Sequence, residues 1–190
     1  MRKPFCLITI VLLLTAASPA ASALDVENAL ITQSQYFSIR GPADINVIDV
    51  LAKLNYNYFL QVDSLLNGKE SEPKIILAHT LDAMFLESCR ILGIHVYSFT
   101  ATLEFLADQN AVKIVIKNLS GIDVDERAFY LYDLKTIYIS LADLSVGVLG
   151  HEMAHAIISR YFGAPPSDNI QEILAGYVDY SLRKSTGTLE

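Results

Sequence analysis

A chain of 190 residues sets the expectation of one domain. The formal net charge of −7, with no basic cluster, speaks against nucleic acid and anionic membrane surfaces as partners. Two cysteines, one of them at position 6, leave little scope for a disulfide framework.

The first residues read as a secretory signal peptide. Arg2 and Lys3 form a positive start, and Phe5 to Ala17 is an uncharged apolar run shorter than the roughly 20 residues that span a bilayer. Ala21-Ser22-Ala23 is an A-x-A cleavage site. The expected organisation is therefore a leader over 1–23 and one domain over 24–190, starting at Leu24. Cleavage removes Arg2 and Lys3 and no acid, which takes the net charge from −7 to −9. It also removes Cys6, so Cys89 is left without a partner. The product is expected in the periplasm or outside the cell, without stable membrane insertion.

Gln35 to Arg40, QYFSIR, is strand-like and ends at Gly41-Pro42. Val47, Leu51, Leu54, Tyr58, Val62 and Leu65 recur at spacings of three and four, which predicts one long helix over 43–66, closed by Asn67-Gly68. A polar loop over 70–73 precedes a second helix, Thr80 to Leu92, stopped by Gly93. Within it Leu81, Phe85, Cys89 and Leu92 share a stripe, so Cys89 reads as core. Thr100 to Asp108 suits a strand. Ala111 to Leu119 fits a strand or a short helix, and Ser120-Gly121 breaks the chain after it. Ala128 to Ser140 reads as a hairpin around Asp133-Leu134-Lys135. Two helices follow, over 143–162 and 168–184, separated by Gly163 and Pro165-Pro166. Asp168 and Gln171 suggest a capping box at the second. Strands beside helices give an α+β class.

His151-Glu152-Met153-Ala154-His155 lies within the first of these helices. Residues i and i+4 are about 40° apart around a helix, so both imidazoles leave from one face. Zinc accepts such nitrogens, and Glu152 beside them is placed to take a proton from water instead of binding the metal. Gly147, Gly150 and Ala154 are small enough to let another element come close. A catalytic zinc also needs a third protein ligand. Glu172 sits in the first turn of the next helix, where a tight helical hairpin brings it toward the histidines. By position alone it is equally an ordinary acid favoured by the helix dipole. His79 and His95 read as polar residues at element ends.

VLGHEMAHAI followed by QEILAGY resembles the glutamate-zincin metallopeptidases, and among them the small peptidase-MA-like domains. Those carry H-E-x-x-H and then, on the next helix, a pattern close to E-G-L-A-x-Y. Glu172, Leu174, Ala175 and Tyr177 match it, and Ile173 stands in place of the glycine. KTIYIS resembles the substrate-facing edge strand of that family. The likeness covers Ala128 to Tyr180 and fades before it. It implies a zincin-like fold: a small twisted sheet, an active-site helix and a following glutamate-bearing helix. It implies one Zn2+ held by His151, His155 and Glu172, with Glu152 as general base. The sequence departs from the family at Gly176, where many members carry an acid that orients a histidine. Asp179 lies near the same face and reads either as its replacement or as a surface acid. Tyr161, Tyr177 and the hairpin tyrosines are all open as oxyanion donors.

The expected function is an exported zinc metallopeptidase, an endopeptidase acting as a monomer on peptides or unfolded protein. The substrate would lie along Thr136 to Ser140 as an added strand. The alternative is a zinc-holding, non-catalytic peptide-binding domain of the same fold, for which Glu152 would be superfluous.

Overall fold

The computed structural model describes residues 28–62, 72–121, 123 and 125–189. The leader, its cleavage site and the helix stop at Asn67-Gly68 lie outside the described residues. In chain order the elements are β1 (Ala29–Gln33), β2 (Phe37–Gly41), α1 (Val47–Lys53), α2 (Tyr56–Val62), α3 (Pro73–Leu92), β3 (Ala101–Leu106), α4 (Gln109–Ser120), β4 (Ala128–Leu131), a 3-10 turn (Tyr132–Leu134), β5 (Thr136–Ser140), α5 (Val146–Tyr161) and α6 (Asp168–Thr186). The class is α+β, as the sequence suggests.

The five strands form one mixed sheet in the order β1-β2-β3-β5-β4. The outer pairs β1–β2 and β4–β5 are antiparallel, while β2–β3 and β3–β5 are parallel. The register of β1 on β2 shifts between Leu30 and Thr32. Successive strand residues face opposite sides. Leu103, Phe105, Ile137 and Ile139 thus enter the main core with α1, α3, α5 and α6. Leu106 and Tyr138 join Val112 and Ile116 of α4 in a smaller cluster on the other face.

Several expectations are corrected. Strand β1 has no clear signature in the sequence, because only Ile31 of its five residues is buried. The single helix over 43–66 is two. Asn55 adopts a left-handed conformation, φ 48°, which asparagine tolerates better than most residues. Its side chain donates to the Thr186 carbonyl at 2.7 Å, so the break fastens to the end of α6. Helix α3 starts at Pro73, well before Thr80; proline suits a first turn because its missing N–H would be unpaired there anyway. The open segment after Gln109 is helix α4, started by Asp108 accepting from the Ala111 N–H at 2.8 Å. The capping box at α6 does not form. Ser167 is the residue at the cap, and Gln171 donates to the Pro166 carbonyl at 2.9 Å.

The largest correction concerns β5. All five of its residues are buried, and it lies between β3 and β4. An alternating aromatic and β-branched run fits an interior strand as well as an edge one. The edge strand of this half of the sheet is β4.

Candidate metal centre

Ser145 starts α5 by accepting from the Val148 N–H at 3.3 Å. Leu149, Met153, Ala156 and Ile157 then bury one side of the helix completely. Gly147 and Gly150 face α6. A methyl group at Gly147 would lie 2.1 Å from Asp179 Oδ1 and 2.9 Å from Arg183 Cδ. One at Gly150 would lie 2.3 Å from Leu182 Cδ1. Ala154, fully buried, continues the stripe. These small residues let the two helices close on one another, as the sequence suggests, and the close approach brings Glu172 against the histidines; it stands just past the first turn of α6, which holds Asp168, and not within that turn as the sequence suggests.

Three donor atoms meet there. His151 Nε2 and His155 Nε2 are 3.1 Å apart. Glu172 places Oε2 at 3.3 Å from His151 Nε2 and Oε1 at 3.3 Å from His155 Nε2. These spacings test whether a metal fits. Zinc bonds of about 2.0–2.1 Å in a tetrahedron put neighbouring donors roughly 3.3 Å apart. The observed spacings match that edge, and two imidazoles with one carboxylate are a suitable donor set. Burial holds His155 below the ordinary histidine pKa, and the neighbouring His151 adds to this. The neutral ring is the form that ligates. Glu172 and Asp168 act in the opposite direction, as does a side-chain hydrogen bond with Gln171. No Lys or Arg pairs with Glu172 among the described residues.

Glu152 points into the same cleft and is 8% exposed. Burial pushes its carboxyl up to about 8, with Glu172 and Glu126 adding to the rise. The nearby backbone N–H of Tyr130 acts the other way. Strand pairing explains why that N–H is free. Ser140 N donates to Arg127 O, and antiparallel pairs alternate. Ala128 and Tyr130 therefore turn their backbone groups away from β5 and toward the cleft.

The cleft has a volume of about 520 Å³. Tyr130 and Tyr132 line it, whereas Tyr161 and Tyr177 do not. Asp179 accepts from Arg183 Nε at 2.8 Å, and this ion pair packs on Gly147. It supports the helix pair and does not orient a histidine. Gln171, which the Asp-x-x-Gln spacing suggests for a cap, lines the cleft and acts on His155. Its position next to Glu172 was the available signal. His79 lies within α3 and His95 beyond its end, and neither belongs to the cluster. No family model, curated protein or solved structure matches this chain.

Proposed function

We propose that the chain is an exported zinc-dependent metallopeptidase of zincin-like fold, cutting bonds within extended polypeptides. The observation that carries this reading is the meeting of three donors at 3.1–3.3 Å beside a buried glutamate. The fold reading is supported by the antiparallel edge strand beside α5 and by the glutamate on the helix that follows.

His151, His155 and Glu172 would hold the ion. Zinc, when bound, supplies Lewis acidity, which lowers the pKa of water from about 15.7 toward about 7 and polarises a carbonyl oxygen. Glu152 takes the proton of the attacking water on a carboxylate oxygen and passes it to the leaving amine. Positive charge held by the neighbouring ligands favours the carboxylate that this step needs, against the upward push of burial. The Tyr130 N–H, turned toward the cleft, favours that carboxylate. The remaining cleft-facing groups of β4, those of Ala128 and the carbonyl of Tyr130, are available to an extended chain by strand addition. That role moves from Thr136–Ser140, which is interior, to β4.

Glu152→Gln tests the chemistry. The amide keeps the size of the side chain but cannot accept the proton. Turnover of unfolded casein should fall about 10²–10⁴-fold while zinc content and fold persist. Equal activity in both proteins would remove Glu152 as the base. If neither protein turned over casein but both held zinc and bound peptide, the chain would be a binding domain. Export is checked separately: N-terminal sequencing of protein from its native compartment should begin at or near Leu24, and an intact Met1 on cytosolic protein would overturn it.

A further inference from the structure

The cleft carries more negative charge than an ion and a base require. Besides Glu152 and Glu172, its lining includes Glu126 and Asp168, and no Lys or Arg. Glu126 stands just before β4 on one wall, and Asp168 opens α6 on the other. Both are exposed, and neither forms an ion pair among the described residues. Arg127, next to Glu126 in sequence, does not line the cleft.

The cleft also continues beyond the metal-ligand cluster. Tyr130, Tyr132 and Ser159 are shared with an adjoining cavity of about 530 Å³ that reaches Phe99 and carries Lys135 and Arg160 as well as Asp133. The acidic part therefore opens into a second space. That suits a long chain carrying its charge on a side chain better than a free amino terminus held against a wall.

We propose that this cleft selects extended polypeptides with a lysine or arginine side chain beside the bond presented to His151, His155 and Glu152. The selection rests on the peptidase reading for its chemistry, but charge-ordered binding does not. Complementary charge raises encounter rates and disfavours partners of the wrong sign, and two unpaired carboxylates in one cleft are placed to do both.

The test uses a set of internally quenched peptides that differ at one residue beside the scissile bond: Lys, Arg, Gln or Glu. Each is made with a free and an acetylated amino terminus. Lys and Arg should exceed Gln in kcat/KM by about tenfold, and Glu should fall below Gln. Raising the salt concentration should narrow the spread, since exposed charges are screened. In the double variant Glu126→Gln, Asp168→Asn, the Lys-to-Gln ratio should approach one. An unchanged ratio in that variant would overturn the proposal. A preference lost on acetylation would overturn it in favour of an amino-terminal amine. Anisotropy binding of the same peptides to Glu152→Gln separates the two layers. Charge-ordered binding without hydrolysis by the wild type would keep the selection and remove the peptidase. Hydrolysis or binding without charge order would remove the selection alone.

Discussion

Glu172 is the most exposed of the three donors, with 61% of its side chain open against 28% for His151 and 16% for His155. Exposure of that kind is common for an acid near a helix start, so its chemistry is legible only from where its oxygens sit. Each oxygen faces a different histidine, which a solvated acid has no reason to do. His151→Ala, His155→Ala and Glu172→Ala should each abolish near-stoichiometric zinc, measured by mass spectrometry of metal content on folded protein. Full occupancy in Glu172→Ala would reject it as a ligand and direct attention to Asp168. The histidines and Glu152 were legible because their spacing is itself geometry: four residues on a helix is one face. Gln171 was not. Asn, Gln and Asp near a helix start all resemble caps in sequence, and only the fold shows which partner is reached.

The helix pair sets the precision of the site. Gly147 accommodates the Asp179–Arg183 ion pair, and Gly150 accommodates Leu182, which is fully buried. Gly147→Val would have to displace that pair or separate the helices. Overpacking of this kind costs about 1–3 kcal/mol. The expected outcome is a lower urea midpoint together with weaker zinc binding, because Glu172 moves with α6. Unchanged zinc affinity in a destabilised variant would show that the ligand end does not depend on this contact. The sequence makes α5, α6 and the β4–β5 hairpin readable because their hydrophobic periods are long or sharply alternating. It hides β1, where one residue of five is buried, and the turn at Asn55, where the helical period runs through a residue that leaves the helix. It also hides sheet order, since which strand is interior depends on pairings between segments far apart in the chain.

At the scale of the molecule, the three donors sit on two helices that otherwise meet where Gly147 and Gly150 of α5 receive Leu182 and the Asp179–Arg183 pair of α6. A ligand that binds only the folded state adds stability by mass action, about 2.7 kcal/mol at a hundredfold excess over its Kd. Chelation should therefore lower the Tm of the zinc-loaded protein, and restoring zinc should recover it. The triple variant lacking all three donors should show neither response. A chelation effect that persisted in the triple variant would place a stabilising metal elsewhere. Among the described residues no helix is long and apolar enough to cross a membrane.

The two ends of the sheet differ in what they offer a stray neighbour. Unpaired strand edges invite pairing between molecules, and proteins limit this with short strands, bulges and charge. The shift between Leu30 and Thr32 disrupts the ladder at β1, and such irregularities increase local twist. The edge at β4 keeps regular pairing for four residues, with Glu126 and Arg127 before it and a 3-10 turn directly after it. That is long enough to receive a few residues of a foreign backbone and too short to seed a growing fibril, so a strand edge can stay open here with little cost in solubility.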